Sequence, residues 1–261
     1  MSLLHAGLCC MVVSSFVITW QFIVGSWMGV GGYLFVFVFP VLCVICGRLF
    51  AWCFDYEAMG SVVFCLQFPA GVILLNLLLL TAVVVPGPYV AALFVLLSAL
   101  GLGAYYFRKA RWSPEPLSEG RWNLAVVFLA FVGASIWTQT GIIQREPCGT
   151  DICFLPWSDY LIHSGLIARL REAAFNGGPF EFQFLAGVRP PFYHYTSYML
   201  PAAFLALDGA PAVNLATSFW LPLGVALSGI SAFGLARRAW GSWEGVASVV
   251  GVIWFLAIVS G

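Results

Sequence analysis

The chain has 261 residues, 62% of them hydrophobic and only 8% charged, against roughly a quarter charged in an ordinary soluble domain. That composition excludes a soluble monomer. Eleven basic side chains balanced by eleven acidic ones, with a mean hydropathy of +0.97, also exclude a basic face able to neutralise a run of phosphates, so nucleic acid is not a partner.

Between Met1 and Phe107 the only charged residues are Arg48, Asp55 and Glu57. A charge in hydrocarbon costs about 2.5–3.5 kcal/mol on insertion scales, so these long uncharged runs are what a bilayer accepts. With about 20 apolar residues per crossing, spans are predicted at 4–24, 33–52, 60–85, 88–107 and 122–143, followed by 212–236 and 243–261. The breaks between them fall at Gly31-Gly32, Asp55 to Glu57, Pro86-Gly87-Pro88 and the polar stretch Arg108 to Arg121. Val72 to Leu80 is apolar almost all round apart from Asn76, which a β-barrel strand would not be. The first span has no basic residue ahead of it and is read as a retained helix, not a signal peptide. The predicted fold is therefore all-α: a polytopic transmembrane bundle of about seven spans. Residues 1–110 form its N-terminal membrane helices, 111–121 a basic loop, and 122–261 the rest.

Arg108, Lys109, Arg111 and Arg121 form the densest basic cluster, and cytoplasmic loops carry such an excess. Counting from there, the N-terminus, Arg48 and Arg237-Arg238 are cytoplasmic, and residues 144–210 form a long extracytoplasmic loop. This frame needs residues 192–207 not to cross. At about 1.5 Å per residue they are too short, and they contain Pro201, so they are expected to lie flat in the interface as an amphipathic helix.

Cys9, Cys10, Cys43, Cys46, Cys53 and Cys65 lie in or beside apolar spans, where a thiol behaves as a small hydrophobe. Cys148 and Cys153 fall in the outer loop; in an oxidising compartment they would close a small disulfide loop around Asp151, with free thiols as the alternative.

A loop of that length carries function more often than it merely connects. Within it, Asp159 and His163 are one helical turn apart. Advancing about 100° per residue places His163, Leu166, Leu170 and Ala173 in a stripe around Asp159, with Arg169, Arg171 and Glu172 further round. One reading is structural: Ser158 caps the helix and Asp159 favours its first turn. The other is chemical: a carboxylate against an apolar surface with an imidazole one turn away can serve as a general base. A second cluster runs Arg189-Pro-Pro-Phe-Tyr193-His194-Tyr195-Thr-Ser-Tyr198. Its tyrosines suit an interfacial aromatic belt, whereas Arg189 and His194 suit a lipid phosphate, with Arg145 behind them.

The order of these features resembles the GT-C superfamily of polytopic glycosyltransferases, which use polyprenyl-phosphate sugars. The resemblance covers roughly residues 122–261: a span, Asp159-x-x-x-His163, Gly177-Gly178-Pro179, Tyr193-His194-Tyr195, Leu207-Asp-Gly-Ala-Pro211, a further span, Arg237-Arg238-Ala-Trp-Gly241 and another span. It looks like the dolichyl-phosphate-mannose-type and lipid A aminoarabinose-type transferases. The resemblance implies an enzyme of the plasma or inner membrane that moves a sugar from a lipid phosphate to an acceptor on the outer face, a glycan, lipid or protein, with inversion. Asp159 matches the family's acidic general base, with His163 beside it. Arg189, His194, Tyr193, Tyr195 and Arg145 are the substrate-binding candidates. Two departures stand out. Tyr160 takes the place of the second acid often found in the motif, and about four spans precede the matching region. No hard-metal cluster is apparent in the loop, Asp151 being its one metal candidate, which weakens a metal requirement and leaves divalent-metal dependence open; the lipid-linked sugar is the donor substrate, with no cofactor expected beside it. Because the chain stops at Ser260-Gly261 without a polar tail, further spans and an acceptor-binding domain are expected to follow. The competing readings are a transporter or lipid flippase, which calls for broken or polar helices at the midplane, and a non-catalytic membrane assembly protein.

Overall fold

A computed structural model describes residues 3–24, 27–53, 63–84, 117–138, 144–148, 151–155, 158–178, 195–240 and 251. Within them are seven helices and one two-stranded antiparallel ribbon. The helices are α1 (Leu3–Ile23), α2 (Val30–Cys53), α3 (Val63–Val84), α4 (Leu117–Trp137), α5 (Ser158–Phe175), α6 (Met199–Asp208) and α7 (Ala212–Trp240); the strands are β1 (Gln144–Cys148) and β2 (Asp151–Leu155). Three segments, Leu4–Ile23, Val30–Arg48 and Ala212–Trp240, are long and apolar enough to cross a membrane, and shorter apolar stretches lie in α3 and α4. Expected spans 88–107 and 243–261 lie outside the described residues, Gly251 excepted.

Two boundaries differ from the sequence reading. Gly31 and Gly32 do not break the chain; they sit in the first turn of α2, which starts at Val30. Arg121 is not in a loop either, since α4 begins at Leu117. The prolines inside α2 and α3, Pro40 and Pro69, do not end their helices. Proline 40 cannot donate to the carbonyl four residues back, and Ser14 Oγ of α1 donates to that carbonyl, Val36 O, at 2.9 Å.

Side-chain contacts fix the relative directions of the long helices. Cβ atoms added at Gly47 and Gly71 would collide with the carbonyls of Gln67 and Cys43 respectively, so α2 and α3 cross backbone against backbone and run antiparallel. Phe16 meets Phe128 and Phe131, and Trp20 Nε1 donates to Ser135 Oγ at 2.7 Å, so α1 and α4 run parallel. The starts of α3 and α4 meet where Cys65 Sγ lies 3.2 Å from Asn123 Oδ1. Helix α7 runs against both α1 and α3, pairing its start with the end of α1 through Ser218 and Gln21, and its end with the start of α3 through Gly234 and Leu66. Arg48, Arg121, Arg237 and Arg238 therefore share one end of the helices, and α5, α6 and the start of α7 occupy the other.

Helix α6 occurs where a short non-crossing helix was expected, but its environment differs. Met199 to Leu205 are all buried, against α2, α3, α5 and α7 rather than against lipid. Phe204 stacks on Phe35 at a centroid distance of 4.8 Å and meets Phe219 edge-on at 5.2 Å, and Phe39 closes the group against Phe219. Such offset and T-shaped pairs add about 0.5–1.5 kcal/mol each beyond their burial. Gly209, with φ of 71°, ends α6 in the left-handed region and returns its N–H to Leu205 O.

Candidate functional site

The loop-bearing end is organised around α5. Its buried residues are Ser164, Leu166, Ile167, Leu170 and Ala174, a face centred about 50° from the position of Asp159 at 100° per residue. The stripe is thus rotated from the one drawn around Asp159: Ala173 is only half-buried, and His163 lies near the middle of the packed face. The helix ends as its sequence suggests. Gly177 takes φ of 71° in the left-handed region, and Gly178 N donates to Glu172 O at 2.8 Å, capping a carbonyl of the last turns.

His163 faces Tyr198 and Trp220. Its Nδ1 is 2.8 Å from the Tyr198 hydroxyl, and its ring lies 4.6 Å from that of Trp220, which stacks on Tyr198 at 4.7 Å. Tyr198 has no exposed surface, so it is not the interfacial belt residue its sequence neighbourhood suggested. It closes the 3-10 turn Tyr195–Tyr198 that leads into α6. Because that hydroxyl engages Nδ1, the ring orientation of His163 is fixed.

Two polar side chains hold α6 beneath this group. Asn76, in the middle of the apolar α3, accepts the Leu200 N–H in the first turn of α6 at 2.9 Å while donating to Val72 O of its own helix at 2.8 Å. At the other end, Asp208 Oδ1 accepts the Gly29 N–H at 2.6 Å where α2 starts. Cβ atoms at Gly31 and Gly32 would collide with the Leu207 carbonyl and the Asp208 carboxylate, so these glycines are what allow α6 to close on α2. Burial holds the Asp208 carboxyl above its ordinary value, against the opposing effect of backbone hydrogen bonds from Gly29 and Gly32.

Trp220 reaches His163 from an irregular turn. Residues Ala216–Trp220 form a π-helical turn within α7. Thr217 and Ser218 turn their hydroxyls back onto the Val213 and Asn214 carbonyls, and Gln21 Nε2 donates to Ser218 Oγ at 2.7 Å.

Of the residues singled out from sequence, the structure brings His163 together with the Tyr195–Tyr198 turn; Tyr195 is half-buried at its start. Asp159 occupies the first turn of α5, one turn before His163. Arg189, Tyr193 and His194 lie outside the described residues. Arg145 sits on β1 opposite Phe154, and Asp151 on β2 opposite Cys148. Cys153 is opposite Glu146, so Cys148 and Cys153 are diagonal neighbours on one ribbon face. The basic side chains of α5 lie toward its far end, where Arg171 pairs with Glu172 at 3.0 Å and Asn176 donates to the second Glu172 oxygen. Cys9, Cys10, Cys43, Cys46 and Cys65 are buried and form no disulfide. Sequence reasoning did not find Trp220 or Gln21. Asn76 carried a signal, as the lone polar residue in a long apolar run.

Compared with protein-family models, curated proteins and solved structures, the chain finds no match in any of the three.

Proposed function

We propose that the chain is an integral membrane glycosyltransferase of GT-C type that transfers a sugar from a polyprenyl phosphate to an acceptor hydroxyl at the loop-bearing end of its helices. The reading is supported by one arrangement: His163, one turn after Asp159 on α5, has its ring pinned by Tyr198 and Trp220. A held imidazole one helical turn from an acidic residue suits a single displacement. The acceptor oxygen forms its bond to the anomeric carbon as its proton passes to Asp159, and the bond to the lipid phosphate breaks, its electron pair leaving on the phosphate oxygen. Inversion follows. Charge on the departing phosphate would be balanced by His163 and by Arg189, His194 and Arg145; Tyr193 and Tyr195 would border the sugar. In this proposal the end bearing Arg48, Arg121, Arg237 and Arg238 faces the cytoplasm, in keeping with the excess of basic residues on that side of membranes, and the site faces the outer side of the plasma or inner membrane.

The test uses the full chain in liposomes with polyprenyl-phosphate hexoses, reading release of polyprenyl phosphate. Loss of a general base costs roughly 10²–10⁴-fold, so Asp159→Asn should reduce release by at least about a hundredfold with insertion unchanged. Undiminished release by Asp159→Asn would remove the assigned role.

A further inference from the structure

The π turn of α7 is held from outside its own helix. A π turn carries one residue more than an α-helical path and interrupts the regular i→i−4 ladder, where side chains can bond the backbone carbonyls. Here the Thr217 and Ser218 hydroxyls turn back onto Val213 and Asn214. Ser218 in turn accepts Nε2 of Gln21, at the far end of α1, at 2.7 Å. Gln21 has no exposed surface and its Oε1 meets no hydrogen-bond partner among the described residues. An apolar side chain of the same length would suit that environment better on burial grounds alone. The Ser218 contact is what the carboxamide supplies there, and the turn it braces ends at Trp220, whose ring lies 4.6 Å from His163 and 4.7 Å from Tyr198.

We propose that Gln21 and Ser218 are positioning residues which keep α7 in its π register and so hold the Trp220 ring against His163 and Tyr198. Without the pair, the extra residue is absorbed into α-helix, turning the segment before or after it by about 100° and advancing it by about 1.5 Å, which takes Trp220 off the imidazole. The inference rests on the preceding reading only for what the site does; the placement of Trp220 is independent of it.

The test reads that placement directly. Trp220 emission is isolated from the other tryptophans by subtracting the spectrum of Trp220→Phe, in full-length protein reconstituted in liposomes. A protonated imidazole in contact with an indole quenches it, so the difference emission should fall on acidification, and His163→Gln should abolish that fall. Gln21→Leu and Ser218→Ala should lose the His163-dependent quenching with helix content retained, and Ser218→Thr, which keeps the hydroxyl, should preserve it. Full quenching in Gln21→Leu, or identical behaviour of Ser218→Ala and Ser218→Thr, overturns the proposal. If Gln21→Leu fails to insert, the Ser218 pair decides alone. Should the wild type transfer no sugar, the quenching series still reads the π turn, so failure of the enzymatic reading and failure of this one are distinguishable.

Discussion

The hydroxyl of Tyr198 and Nδ1 of His163 meet at 2.8 Å although 35 residues separate them along the chain. The contact joins the outer helix α5 to the turn that enters α6, and Trp220 of α7 covers both rings. Three elements distant in sequence thus converge on one imidazole.

Tyr198→Phe keeps the ring and its stacking on Trp220 but deletes the hydroxyl. The loss of one hydrogen bond of about 0.5–1.5 kcal/mol should lower the proposed sugar transfer about two- to tenfold. Trp220→Leu removes contacts with both rings and should lower it further. Kinetics of the two variants in liposomes check the order; equal losses would mean that the hydroxyl, not the stack, sets the position of His163.

The α2–α3 crossing depends on two missing side chains. Gly47→Ala or Gly71→Ala would drive a Cβ into a carbonyl of the facing helix, at a cost of about 1–3 kcal/mol for overpacking. Gly7 of α1 has nothing within 4 Å of its would-be Cβ, so Gly7→Ala should be neutral or stabilising by up to about 1 kcal/mol through helix propensity alone. Thermal unfolding of the three variants in one detergent tests the contrast.

The long helices were legible because hydrophobic run length alone predicts them: α1 begins and ends within a residue of its expected bounds, and the basic side chains at one end of α2, α4 and α7 follow the alternation read from arginines and lysines. The environment of α6 was not legible. Met199 to Leu205 is as apolar as a lipid-facing segment, and hydropathy cannot distinguish burial in lipid from burial in protein. The clue lay in the partners, Gly29 just before α2, Gly31 and Gly32 on α2 and Asn76 on α3, which have meaning only once the helices are paired. The π turn was illegible for the same reason, since its brace, Gln21, is 197 residues from Ser218.

Asn76 tests that logic. Asn76→Leu suits the apolar surroundings of α3 but leaves the Leu200 N–H at the start of α6 buried without its acceptor, a loss of about 1–3 kcal/mol. Because α6 carries the Tyr198 contact at its entrance, the variant should also increase hydrogen exchange at the first turn of α6 before the rest of the bundle. Uniform loss of protection would show that Asn76 stabilises the whole assembly instead.

The opposite end of α6 should respond to pH. Burial raises the Asp208 carboxyl above its ordinary value, with the Gly29 and Gly32 N–H groups opposing the shift. A carboxyl whose folded pKa exceeds its unfolded one binds its proton more tightly in the folded state. Its contribution is therefore most favourable below the unfolded value, about 3.9, and is lost as pH rises through the folded value. Asp208 accordingly opposes acid denaturation, the reverse of a salt-bridged aspartate. Asp208→Asn keeps an acceptor for Gly29 and cannot ionise. The melting temperature of the wild type minus that of Asp208→Asn should rise as pH falls through this window and level off below about 3.9, whereas a difference that falls with acid would show that the N–H groups of α2 outweigh burial at this carboxylate.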